Sequence, residues 1–215
     1  DEKQFNYAMK AETKEAFIKE VTEGNPTPPQ YFPVNARINK EGYDSLDAVM
    51  QTAMNALSVE DFKKLHQENV IILDTRNATI FTQGFVPDSI SIGLEGRFAE
   101  WAGGLLPFDV PMLLVTDFGK EKETIVRLAR VGFDKVIGYL DGGFEAWKNA
   151  GEPVDMVIDV EADELMMDIP NDSKLVVLDV RKPTEFADGH LKNALNMPLN
   201  EMNDPGIIAE LEEDQ

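Results

Sequence analysis

Two stretches decide the fold: Val70-Ile71-Ile72-Leu73-Asp74-Thr75-Arg76 and Leu175-Val176-Val177-Leu178-Asp179-Val180-Arg181, which stand 105 positions apart. At the same offset and without gaps, Phe81 matches Phe186, Gly84 matches Gly189, Ile90 matches Leu195 and Leu94 matches Leu199. Self-similarity at a fixed offset is the mark of a duplicated unit. In each copy the aliphatic run is apolar at consecutive positions, as in a parallel strand covered by helices on both faces. A helix start precedes each run: Ser58 to Phe62, with Ser58 as N-cap and Asp61 three residues on, and Glu161 to Leu165.

Working outward, Ile90 and Ile92 alternate with Ser89 and Ser91, as in a half-covered strand. Met112–Val115 and Lys135–Leu140 read as two more strands. Helical segments are expected at 45–57 (a helix or a long turn), 97–101, 120–131 and 144–149. Alternating strand and helix predicts an α/β fold, an open parallel sheet flanked by helices. Residues 45–154 make one complete domain, and 155–215 the first half of a second copy. Residues 1–44 read as the end of an upstream domain: a helix over 1–23 stopped by Gly24, then a Pro-rich connector. Four prolines between Asn25 and Pro33 favour an extended tether, which Tyr31 and Phe32 would glue to a surface.

Composition narrows the chemistry. The 215 residues contain no Cys and two His, His66 and His190. Disulfides, Cys-based zinc sites and thiolate mechanisms are therefore closed to this chain, and no catalytic or metal-ligating set is expected. Twenty basic and 40 acidic residues give a formal charge of −20. The acidity rises toward the end, with 4 basic and 16 acidic residues in 155–215. Nucleic acid and anionic membrane are poor partners for such a surface. The aliphatic runs are too short to span a bilayer, and no leader opens the chain; a cytoplasmic location is the expectation. The chain starts without Met, as a fragment would.

The pattern from Leu178 to His190 (strand, Asp179-Val180-Arg181, Phe186, Gly189-His190), followed by Ala194 to Leu199, resembles the first signature of rhodanese-like domains. The first copy departs from it, with Phe85 in place of the His. It also carries a stretch similar to the family's closing signature, Val131-Gly132-Phe133-Asp134-Lys135-Val136 and then Leu140-Asp141-Gly142-Gly143-Phe144-Glu145-Ala146-Trp147. The resemblance implies a catalytic loop after the central strand, where a Cys carries a sulfane sulfur as a persulfide. Backbone N–H groups and a helix N-terminus would stabilise that anion. Here the loop is Thr116-Asp117-Phe118-Gly119-Lys120-Glu121-Lys122-Glu123, with Asp117 about where the Cys belongs.

A carboxylate has no route to a persulfide, and its charge would fill the anion's place. Asp117 is therefore expected to cap its own helix; a pocket for a cation or neutral ligand is the alternative. The phosphatase chemistry of some relatives also needs the Cys. The second copy's equivalent position lies beyond Gln215, near 222, so a working sulfurtransferase with its Cys there is a second reading. The structural motif residues Asp74, Arg76, Gly84, Gly142, Gly143, Trp147, Asp179, Arg181, Gly189 and His190 are expected to hold loops and pack, with His190 bonding backbone. His66 is expected to be solvated beside Lys63 and Lys64, and Lys120–Glu123 to be a solvated first turn. Trp101 and Trp147 are expected against the sheet, and Trp101–Leu106 as a loop able to form an interface.

The leading helix, the connector through Tyr31–Asn35, the Asn39–Tyr43 turn and the Arg127–Asp134 helix end also resemble part of a known fusion. In it a metallo-β-lactamase-fold enzyme, of the persulfide dioxygenase or hydroxyacylglutathione hydrolase type, precedes two rhodanese-like domains. That resemblance implies an upstream catalytic domain in the same polypeptide, holding iron or zinc, with no cofactor in the present residues. A homodimer is a further partner expectation. An acidic adaptor with no upstream enzyme is the third reading.

Overall fold

A computed structural model describes residues 13–22, 31–42, 45–67 and 69–202. The expected positions 1–12, 23–30, Tyr43, Asp44 and 203–215 lie outside the described residues. Helix α1 (Lys14–Thr22) falls in the first expected helix. Helix α2 (Tyr31–Glu41) corrects the expected tether from Tyr31 to Pro33, the rest of which lies outside the described residues. Pro33 is the third residue of α2, where its missing N–H removes no intrahelical bond. Two glycines make room for α2. A Cβ on Gly103 would come within 2.9 Å of Tyr31, and one on Gly132 within 2.8 Å of Ile38.

Helix α3 (Leu46–Ala53) is capped by Ser45, whose Oγ accepts the Ala48 N–H at 3.2 Å. Strand β1 (Ala56–Leu57) follows, so the expected 45–57 helix ends early. Helix α4 (Val59–His66) is capped by Ser58 as expected, its Oγ accepting the Asp61 N–H. Then come β2 (Ile71–Asp74), α5 (Ala78–Thr82), β3 (Ser89–Ser91), α6 (Phe98–Leu105), β4 (Met112–Val115), α7 (Glu121–Ala129), β5 (Val136–Leu140) and α8 (Gly143–Asn149). Helix α6 corrects two expectations. It runs past Trp101, and the stretch expected as a loop is mostly its second half.

Among the described residues the first copy's sheet has the order β1-β5-β4-β2-β3, every pair parallel. The central strand feeds two cores. Met112 and Leu114 join Phe98, Ala102, Ile125 and Leu128 on one face. Leu113 and Val115 join Phe62, Val86, Phe144 and Trp147 on the other. This is why Met112–Val115 is apolar at every position. On the edge strand β3, Ile90 is exposed, and the buried partner expected within the strand, Ile92, lies just past it.

The chain between the two copies is bonded to the first copy. Phe85 and Asp155 exchange both backbone N–H···O bonds, at 2.9 and 3.1 Å, and the Val157 N–H donates to the Thr82 carbonyl. The second copy repeats the pattern with α9 (Ala162–Asp168), β6 (Leu178–Asp179), α10 (Pro183–Asp188), β7 (Leu195–Asn196) and a 3-10 turn at Leu199–Glu201. Its strand is shorter than the 175–178 run predicted. Leu178 and Asp179 pair with Leu195 and Asn196, the register that Leu73 and Asp74 keep with Ile90 and Ser91.

Phe62 is fully buried and meets Trp147 edge-to-face at 6.1 Å. Phe62→Ala should destabilise the chain by about 3–5 kcal/mol. Ile80→Ala, at an exposed site, should stay within about 0.5 kcal/mol; urea unfolding measures both.

Candidate functional site

At the carboxyl end of β2 the chain closes a lock. The Arg76 guanidinium donates from Nε to both Asp74 carboxylate oxygens at 3.0 Å and from Nη2 to Oδ2 at 2.6 Å. The same Nη2 donates to the Gly84 carbonyl at 2.9 Å, and the Arg76 backbone N–H donates to Asp74 Oδ1. The guanidinium lies 4.3 Å from the centre of the Phe144 ring. Both side chains are buried. A buried pair repays its desolvation only when its remaining donors are satisfied, and here the Gly84 carbonyl and the Phe144 ring help to do so.

The second copy repeats the lock bond for bond: Arg181 to both Asp179 oxygens, and Nη2 to the Gly189 carbonyl at 2.9 Å. The loop after it is also the same. Ile92 and Leu94 donate their N–H groups to the Asp74 and Thr75 carbonyls, and Met197 and Leu199 donate theirs to Asp179 and Val180. The two differ in cover. Arg181 is 47 % exposed and Arg76 only 6 %. Arg181 beside Asp179 pulls that carboxyl down to about 2. His190 stacks on Phe186 at 3.7 Å, and its Nδ1 bonds the Phe186 carbonyl at 2.8 Å. Phe85 makes the equivalent stack on Phe81 at 4.1 Å. A flat ring thus stacks at this position in both copies. The histidine adds one backbone bond, as expected.

The loop between β4 and α7 opens with Thr116, buried; a Cβ on Gly143 would lie 2.9 Å from its carbonyl oxygen. Gly142, in the left-handed region at φ 73°, forms the turn into α8 that the double glycine predicted. Asp117 does not cap its helix, contrary to expectation. The N-cap position is Lys120, which makes no side-chain cap bond. The Glu121 carboxylate instead accepts the Gly119 N–H at 3.1 Å, while the Asp117 backbone carbonyl accepts the Lys120 N–H. The reason is geometric: Gly119, at φ 80°, turns its amide toward the first-turn acid rather than back toward Asp117. An acid in a helix's first turn was the available sequence signal. Phe118, at the tip, is 99 % exposed. Lys120 and Glu123 are not simply solvated but ion-paired at 2.8 Å; the pairing raises the Lys120 pKa and lowers that of Glu123.

Asp117 and Lys120 border a cleft of about 620 Å³ at the carboxyl edge of the sheet, with Thr75, Ser91, Leu94 and Trp101 among its other walls. Trp101 is 50 % exposed and faces this cleft, which corrects its expected place in the core. Trp147 is buried as expected, and its Nε1–H donates to the Pro153 carbonyl at 2.7 Å. His66 is also corrected. It is half-buried, with Nε2 3.3 Å from Asp88. Glu95, on the cleft wall, was missed by sequence reasoning. Among the described residues no group of three or more His, Asp or Glu could hold a metal ion, and no helix is long and apolar enough to cross a membrane.

A family model described as the rhodanese-like domain matches residues 58–150 and 161–215. The chain belongs to the rhodanese-like family. Among solved structures it is similar to a rhodanese-related protein from Thermoplasma volcanium, at 20 % identity over 47 % of this chain and 98 % of that one, with a TM-score of 0.40. A metallo-beta-lactamase from Staphylococcus aureus matches at 23 % identity over 65 % of this chain and 38 % of that one, TM-score 0.47. A thiosulfate sulfurtransferase from Pseudomonas aeruginosa matches at 16 % identity over 81 % of this chain and 38 % of that one, TM-score 0.38. The two signatures are thus assigned to the right family, and one matched segment lies within each copy.

Asp74→Asn leaves the Arg76 charge buried without its partner and should cost about 3–5 kcal/mol. Asp179→Asn should cost less, because water reaches Arg181; urea unfolding compares the two. The Asp179 carboxylate should contribute its stabilisation in full above the usual carboxylate value of about 3.9 and lose it as pH falls through about 2. NMR titration of that carboxyl measures the shift.

Proposed function

We propose that residues 45–154 form a non-catalytic rhodanese-like module that serves as a scaffold or docking region for an upstream metal-dependent enzyme of the metallo-β-lactamase fold, acting in sulfur or thioester metabolism. The observation that carries the non-catalytic part is the β4–α7 loop. A carboxylate stands at the position the family gives to its thiolate, and the Gly119 amide is already taken by Glu121. A sulfur anion entering there would meet Asp117 and would find that donor spent. Ser91 and Thr75, the hydroxyls among the cleft residues, have no His beside them to act as base, since the chain's histidines pair with Asp88 and with the Phe186 backbone.

The upstream enzyme is supported by the resemblance of the leading helix and connector. With thiosulfate as sulfur donor and cyanide as acceptor, this chain should turn over at the rate of buffer; sulfur transfer above that control overturns the non-catalytic reading. Reading the parent sequence on both sides tests the rest. A His-x-His-x-Asp-His stretch before Asp1 is expected, and its absence removes the upstream enzyme.

A further inference from the structure

The cleft beside Asp117 carries two kinds of wall. One is apolar: Ile92, Leu94, Leu105, the exposed face of Trp101, and Leu199 from the second copy. The other presents charge, and its charges are unequal in commitment. Arg97 is paired with Glu100, three residues on in the same turn. Lys120 is paired with Glu123 at 2.8 Å. Arg127, behind the wall, donates to the Leu94 and Gly96 carbonyls and lies over the Phe98 ring. Glu95 and Asp117 also border the cleft. Among the described residues neither side chain makes a hydrogen bond or ion pair, though both lie close enough to Lys120 to favour its charge. The basic groups are thus spoken for and the two carboxylates are free, on a chain of formal charge −20.

We propose that this cleft docks an arginine-bearing segment of a basic partner protein, with the guanidinium held between Asp117, Glu95 and the face of Trp101. The inference rests on the non-catalytic reading, because it needs the cleft to have exchanged an anion's site for a cation's. Arginine suits the walls better than lysine. Its planar head binds carboxylates in a fork and stacks on indole. Its methylene stem can lie along Leu94 and Leu105 while the charge stays at the rim. The chain's overall charge would steer such a partner toward it, and Phe118, next to Asp117 in the chain and fully exposed, offers further apolar surface.

The two tryptophans give a local readout, since Trp147 is buried and Trp101 faces the cleft. The whole chain is titrated with an acetylated, amidated leucyl-arginyl-leucyl-arginine tetrapeptide, with the citrulline analogue as neutral control. The arginine peptide should change the indole emission and the citrulline peptide should not. Trp101→Phe should abolish the signal. Asp117→Asn combined with Glu95→Gln should weaken binding about tenfold or more. Removing the same number of charges on α1, with Glu15→Gln and Glu20→Gln, should change it about twofold or less. Circular dichroism confirms that each variant is folded. Equal losses from both pairs would mean attraction to net charge alone and overturn the inference, as would the absence of any emission change. A response to thiosulfate instead of the peptide would overturn the inference and the non-catalytic reading together; silence toward both probes overturns only the inference.

Discussion

The buried Asp74–Arg76 pair is the constraint on which the rest of the first copy hangs. It joins the end of β2 and the nearby turn at Gly84 that leads into β3 to Phe144, far along the chain at the start of α8. One guanidinium fixes the floor of the carboxyl edge of the sheet. Thr75, between the two charged residues, then bonds across to β4 through the Val115 carbonyl. The loops that carry function in this kind of sheet spring from that edge, so the pair sets where the cleft opens without itself taking part in it.

Repetition makes the same point independently. The second copy rebuilds the lock with Asp179, Arg181 and Gly189 although its Arg181 is far more exposed. Local sequence therefore suffices for the lock's geometry: a carboxylate two residues before an arginine at a strand end, with a glycine carbonyl eight residues on. Burial then decides what the geometry is worth. With Phe144 over it, the first pair is shielded from water; the second lies open and its attraction is screened.

Much of this was legible in the residues. Met112–Val115 is a strand with the predicted bounds because a run apolar at every position can only sit between two cores. Ser58 caps α4 as its spacing to Asp61 implied. The offset between the copies holds for hydrogen bonds as well as for letters. Two of the misreadings share one cause, tertiary context overriding local preference. The prolines before Tyr31 argued for a tether, but docking against Gly103 and Gly132 favours a helix from Tyr31 on. Trp101 reads as core by type and as loop by its glycine neighbours, yet it sits on a helix and faces the cleft. Asp117 reads as a cap by type, but a left-handed glycine two residues later hands the amide to Glu121. No periodicity reports on such choices, since they depend on which way one peptide turns.

The separation between lock and loop explains how a residue in the loop can change while the fold is kept. Asp74, Thr75 and Arg76 are buried and bonded and Thr116 is buried, whereas Asp117, Phe118 and Gly119 are exposed and bury nothing in either core. A replacement at residue 117 leaves packing untouched, so stability places no demand on its identity. What changes is the sign of the cleft. A thiolate cradle must present N–H groups outward, and here the Gly119 N–H has turned onto the chain's own Glu121 while a carboxylate stands in the opening. The side-chain charges left without a direct partner beside that opening, Asp117 and Glu95, are negative.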